Sequence, residues 1–83
     1  MDINKRQQNE KKFPNWEKLS DGSKIYWFEI AGRMGWKAKY FKKVDENDIT
    51  ISFWQEIYDD RGVLVEIHEK YPIDKGHIKF EKP

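Results

Sequence analysis

ITISFWQEIYDDRGVLVEIHEKY, residues 49–71, decides the fold. Two runs rich in β-branched and aromatic residues flank Asp59-Asp60-Arg61-Gly62, and a type I turn followed by glycine in the left-handed conformation is a common three-residue hairpin loop. With Asp60, Arg61 and Gly62 as that loop, Asp59 faces Val63, and the ladder runs Ile57 with Val65, Glu56 with Glu66, Trp54 with His68 and Ser52 with Lys70. Alternation supports this register. Ile49, Ile51, Phe53 and Ile57 share one face with Val63, Val65 and Ile67, and the polar residues share the other, as a half-buried sheet requires.

Outward from this hairpin, period-2 patterning predicts strands near 24–31, 36–44, 48–58, 63–71 and 77–81. The connections, Gly32-Arg33-Met34-Gly35, Asp45-Glu46-Asn47, the Asp-Asp-Arg-Gly turn and Pro72 to Gly76, are too short for parallel crossovers, so neighbours are antiparallel. A four-residue loop Asp45 to Asp48 would pair Val44 with Ile49 and send Trp36, Ala38, Tyr40 and Val44 to the core. Lys37, Lys39, Phe41 and Lys43 then lie opposite Glu56, Trp54, Ser52 and Thr50, with a Lys37–Glu56 ion pair and a Lys39–Trp54 cation–π contact.

Upstream, Phe13 to Leu19 reads as a short helical turn with Asn15 as its N-cap, and Phe13, Trp16 and Leu19 take the three-residue spacing of one helical face. Residues 1–12 are nearly all polar and form either an arm or a surface helix capped by Asp2 or Asn4. The fold expected is α+β: a four- or five-stranded antiparallel β-meander with a short N-terminal helix, a partly closed barrel being the alternative. Residues 13–83 make one meander domain.

Composition bounds the function. Among the 83 residues, 37% are hydrophobic and mean hydropathy is −1.01. Burial must therefore rest on the thirteen aromatic residues, four of them Trp. One domain is all this length can bury. The absence of cysteine removes disulfides and thiolate metal sites and fits a cytoplasmic location. No run approaches the roughly 18 apolar residues of a membrane span, and the N-terminus lacks the apolar core of a signal peptide. A net charge of +1 is not that of a strongly basic nucleic-acid binder, so any basic patch must come from local segregation.

That segregation is expected on the outer sheet face, which collects Lys37, Lys39, Phe41, Lys43, Ser52, Trp54, Glu56, Glu66, His68 and Lys70, with His77 and Lys79 near its edge. Metal-free RNA cleavage needs a base for the 2′-hydroxyl, an acid for the leaving oxygen and a cation for the developing charge. His68, Glu66 and Glu56 are the catalytic candidates. Lys37, Lys39, Lys43, Lys70 and His77 would hold phosphate, and Trp54 would stack a base. A solvated polar face with charges paired across strands uses the same residues. His68, Asp74 and His77, with Glu66, match no compact ligand spacing, so no metal and no cofactor is expected.

The layout from Glu56 to Glu66, followed by Pro72 and the Gly76-His77 ending, resembles small prokaryotic β-meander domains, including toxins of toxin–antitoxin pairs. The resemblance covers the C-terminal half. It implies an RNA-directed ribonuclease with His68 and Lys70 on the sheet. Two function classes follow: an RNA-interacting protein, with metal-independent cleavage as its enzymatic form, and a non-catalytic protein-interaction module that pairs with itself through an edge strand or through an aromatic patch around Trp27.

Overall fold

The hairpin at Asp59–Val63 is one of three built alike. Asp59 N donates to Val63 O at 2.9 Å and Gly62 N to Asp59 O at 3.0 Å; Leu19 and Ser23, with Gly22, repeat the pattern, as do Asp45 and Ile49, with Asp48. The fourth residue of each turn is left-handed, with φ of 80° at Gly62, 89° at Gly22 and 61° at Asp48. Glycine takes that conformation without a steric cost; Asp and Asn are the other residues that visit it. Acidic first residues finish two of the turns: Asp59 Oδ1 accepts from the N–H groups of Arg61 and Val63, and Asp45 Oδ1 from those of Asn47 and Ile49.

A computed structural model describes residues 3–80. Helix α1 (Ile3–Lys12) precedes strands β1 (Asn15–Lys18), β2 (Lys24–Ala31), β3 (Lys37–Val44), β4 (Thr50–Tyr58), β5 (Leu64–Tyr71) and β6 (Gly76–Lys79), with a 3-10 turn at Arg33–Gly35 between β2 and β3. They form one antiparallel sheet in the order β1-β2-β3-β4-β5-β6. The fold is α+β as expected, but the sheet has six strands rather than four or five and is not closed, since β1 and β6 are its two edges. The extra strand replaces the expected helical turn at 13–19. Pro14 disfavours helix in the residue before it, and residues 15–18 find backbone partners by lining up Trp16 with Tyr26 and Glu17 with Ile25 on β2. The helical reading of residues 1–12 holds from Ile3 on; Asp2 as its cap, and Glu81 of the last strand, lie outside the described residues.

Register decides which side chains share a face. Between β3 and β4, Lys39 lies opposite Glu56, Phe41 opposite Trp54 and Lys43 opposite Ser52, two residues away from the expected pairing. The Asp45–Ile49 turn closes one residue tighter, and an irregularity at Lys43/Val44 supplies the other. An even slip leaves every side chain on its face. Between β4 and β5 the slip is odd. Tyr58 pairs with Leu64 as the turn dictates, a bulge follows at Ile57/Tyr58, and beyond it Glu56 faces Ile67, Gln55 faces His68 and Trp54 faces Glu69. One extra residue sends each later β5 side chain to the opposite face, so the expected pairs Glu56 with Glu66 and Trp54 with His68 do not form.

The core lies on the face that α1 joins. Phe13, Tyr26 and Val44 are fully buried, with Phe28 and Phe53 packed on them. An aromatic row continues across the strands, with Phe13 5.4 Å from Phe28 and Phe28 stacked on Tyr40 at 4.9 Å. Trp36, expected in the core, is 42% exposed. At one end of the row sits the carboxylate of Asp48, 2% exposed. It accepts from Lys24 Nζ at 2.5 Å, Tyr26 OH at 2.6 Å and Asn9 Nδ2 at 3.3 Å, while Lys42 Nζ donates to Asn9 Oδ1 at 2.7 Å. Burial pushes the Asp48 carboxyl up, but the hydrogen bonds from Lys24, Tyr26 and Asn9 outweigh it and leave it below the ordinary carboxylate range.

Because this folded-state value is depressed, the stabilisation it represents is complete above the unfolded value of about 3.9 and is lost as pH falls through the folded one. Asp48→Gly supplies the residue that the sister turns use, yet is expected to destabilise by about 3 kcal/mol in denaturant unfolding near neutral pH, since it strands the buried Lys24 ammonium. It should also flatten the loss of stability below about pH 4. A neutral or stabilising result would show that backbone conformation, not the carboxylate, governs this position.

Candidate nucleic-acid interface

Strand alternation puts Ile25, Trp27 and Glu29 of β2, Lys37, Lys39, Phe41 and Lys43 of β3, and Ser52, Trp54, Glu56 and Tyr58 of β4 on the face away from α1, with Ile67 and Glu69 of β5 and Ile78 of β6. Three aromatic residues align across adjacent strands here. Trp27 pairs with Phe41 and Phe41 with Trp54; the Phe41 and Trp54 rings stack at 5.1 Å and 10°. All three are half-buried.

The Trp54 ring is held in place. Its Nε1–H donates to Glu56 Oε2 at 2.8 Å, and Tyr58 OH donates to Glu56 Oε1. Burial, then the hydrogen bond and charge of Glu56, push the Tyr58 phenol up to about 12. Lys39 lies over the Tyr58 ring at 5.0 Å, taking the cation–π role that Trp54 was expected to play. Lys37 pairs with Glu29 at 3.9 Å rather than with Glu56.

The face is amphoteric rather than simply basic, and the pairing decides what it offers. Glu29 lies opposite Lys39 and pairs diagonally with Lys37, Glu56 is engaged by Trp54 and Tyr58, and Glu69 binds Lys75 at 2.9 Å. Lys39 and Lys43 have no ion-pair partner among the described residues, and they flank the aromatic row. Glu29 and Glu69 are each paired with a lysine, Glu56 keeps its charge while accepting from two neutral donors, and Lys39 and Lys43 stand beside the stacked rings, with Lys39 directly across from Glu29 and Glu56.

The other expected site residues lie on the helix side. Glu66 faces Lys79 and His68 faces His77 across β5 and β6, and Lys70 sits over the Tyr40 ring at 5.4 Å. Glu66, His68, Lys70 and His77 are therefore on one side of the sheet, with Lys37, Lys39, Lys43, Trp54 and Glu56 on the other. The three catalytic candidates do not converge, because Glu56 is separated from Glu66 and His68 by the sheet itself.

The two imidazoles form a compact cluster. Their ring centroids are 4.2 Å apart. His68 Nε2 lies 2.5 Å from Asp74 Oδ1, and its Nδ1 is sealed from solvent without a partner. This hydrogen bond and one from Gly76 N–H hold the exposed Asp74 carboxyl below its ordinary range. His77 Nδ1 lies 2.7 Å from Glu66 Oε1 with the ring 44% exposed. Of the two, His77 is the imidazole that turns a ring edge to solvent while a carboxylate fixes its other nitrogen. Among the described residues no group of three or more His, Asp or Glu side chains converges as a metal site, and no helix is long and apolar enough to cross a membrane.

Sequence reasoning missed Trp27 as part of the row, Glu69 and Lys75 as its polar neighbours, and Asp74 as the partner of His68. Trp27 was readable by extending alternation into β2. The β5 residues were not, because nothing in residues 56–66 announces the bulge. Comparison with protein-family models, with curated proteins and with solved structures finds no match for this chain.

The Glu56→Gln variant tests the hold on Trp54. Removing the charge should bring the alkaline titration of Tyr58 from about 12 toward the ordinary value near 10, read as a difference in phenolate absorbance between wild type and variant. An unchanged titration would show that Tyr58 is not bonded to Glu56.

Proposed function

We propose that this chain is an RNA-interacting protein that lays a single strand across the open sheet face, stacking bases on the Trp27–Phe41–Trp54 row with Lys39 and Lys43 against phosphates. The observation that carries the reading is the stacked Phe41–Trp54 pair between two cations without ion-pair partners. Sequence-tolerant binding of single strands rests on this pairing of aromatic platform with basic groove, and sheet-borne aromatics stack two or three bases in known RNA-binding modules. A half-buried ring also loses little freedom when a base covers it.

Fluorescence anisotropy with a labelled single-stranded RNA oligomer tests the reading. Affinity should fall with salt, and replacing both Lys39 and Lys43 by Ala should reduce the log–log slope by about 1.4, at about 0.7 per phosphate contact on a single strand. Trp54→Leu keeps apolar bulk but removes the π-face and should weaken binding about fivefold or more, the low end of one stacked base. Salt-independent binding, or an RNA-blind protein that elutes as a dimer, would make the face an interface between copies of the chain instead.

Cleavage in addition to binding is favoured by one observation, the Glu66–His77 pair. A carboxylate on Nδ1 orients the ring and leaves its other nitrogen to face a substrate. β6 is the sheet edge, with Ile78 on the open face and His77 on the other, so a strand leaving the aromatic row over Ile78 reaches His77 around a single β-strand. Labelled total RNA incubated with the protein in EDTA should then be cut by wild type and by His68→Ala but not by His77→Ala. Intact RNA throughout would confine the protein to binding.

A further inference from the structure

Beyond Trp54, on the side away from Phe41, the open face dips into a groove of about 310 Å³ lined by Ser52, Trp54, Ile67, Glu69, Lys75 and Ile78. Its size is near the lower end of small-molecule sites, which begin at about 300 Å³. Trp54 forms one wall, and Ile67 and Ile78, cross-strand partners on β5 and β6, give it apolar lining. The polar groups are few and ordered. Lys75 Nζ donates to Glu69 Oε2 at 2.9 Å, Lys75 N–H donates to Glu69 O at 3.0 Å, and Glu69 is the direct cross-strand partner of Trp54.

Resting on the RNA reading, we propose that this groove is a base-recognition slot for guanine. A planar ring stacked on Trp54 and packed against the two isoleucines presents its Watson–Crick edge to the Lys75–Glu69 pair. That pair offers an ammonium donor beside two carboxylate acceptors. Guanine offers the complement: the O6 acceptor beside the N1–H and N2 amino donors. Adenine, cytosine and uracil each present a ring nitrogen or carbonyl lone pair where guanine presents a donor, so each sets a lone pair against a carboxylate oxygen.

The test compares a labelled uridine decamer with the same decamer carrying one central guanosine, using wild type, Glu69→Gln and Lys75→Ala, with far-UV circular dichroism to confirm folding. The readout is the affinity ratio of the two oligomers. It should be at least about fivefold in favour of guanosine for wild type, the lower bound for one well-formed bidentate base contact, and near one for both variants. Lys75 is 57% exposed, so its truncation reports on the slot even where Glu69→Gln disturbs β5. Equal binding of the two oligomers by wild type, or a ratio that survives both substitutions, would overturn the slot while leaving the RNA reading standing. Failure of both oligomers to bind wild type would overturn the RNA reading and the slot with it.

Discussion

A single buried carboxylate, Asp48, holds the two layers of this molecule together. Three hairpins share one turn geometry, and two of them place glycine at the left-handed position where the third places Asp48. A side chain is tolerated there because it is used. From that turn the carboxylate reaches Lys24 and Tyr26 on β2 and Asn9 on α1, so it ties the β3–β4 connection to a neighbouring strand and to the helix. Helix α1 (INKRQQNEKK) has hardly any apolar stripe of its own, and a polar helix of ten residues is marginal in water without tertiary contacts. Asn9, held between Asp48 and Lys42, and Phe13, just past its end, supply those contacts. Removing one member of such a set leaves the others buried and unpaired, so its stability is all-or-none rather than a sum.

Docking α1 on one side has a geometric consequence. Among the described residues α1 is the one α-helix, and it covers part of one sheet face and none of the other. On the covered side the aromatic residues Phe13, Tyr26 and Phe28 form the core; on the uncovered side Trp27, Phe41 and Trp54 have comparable side chains and no described element above them. A monomer rarely leaves such a surface without use. What separates this one from an unfinished core is its polar setting. Glu56 fixes Trp54 and Tyr58 through hydrogen bonds made within the face, and each remaining acid is opposed by a lysine. Phe41 and Trp54 stack on each other while Glu56 fixes the orientation of the Trp54 ring.

The hairpin at Asp59–Gly62, the antiparallel meander and the strand limits 24–31 were legible because turn chemistry and alternation are local. Lys37, Lys39, Phe41, Lys43 and Trp54 were placed on a common face although the β3–β4 register was two residues off, since an even slip preserves side. Glu66, His68, Lys70 and His77 were placed on that same face and are not there. A bulge at Ile57/Tyr58 is a one-residue change, and β4 offers apolar side chains on both of its faces, Phe53 and Ile57 on one and Trp54 and Tyr58 on the other, so the apolar side of β5 that holds Ile67 finds apolar neighbours in either register. Pattern alone therefore could not choose. The β1 strand at 15–18 was illegible for another reason. Trp16 and Leu19 fit helical spacing, and only the pairing offered by β2, a tertiary contact, makes the extended form win.

The odd slip also divides the chemistry of the chain. Had Glu56, Glu66 and His68 shared a face, the aromatic row and the imidazole cluster would have made one site with stacking, acid, base and cation together. In the structure, stacking lies on one side and both imidazoles on the other, and β6 joins them, since Ile78 borders the groove beside Trp54 while its neighbour His77 points the opposite way. An edge strand is one chain wide, and among the described residues no further strand lies outside β6 to separate the two faces there. The aromatic row and the imidazole cluster are therefore nearest to each other around this edge, across the width of a single strand.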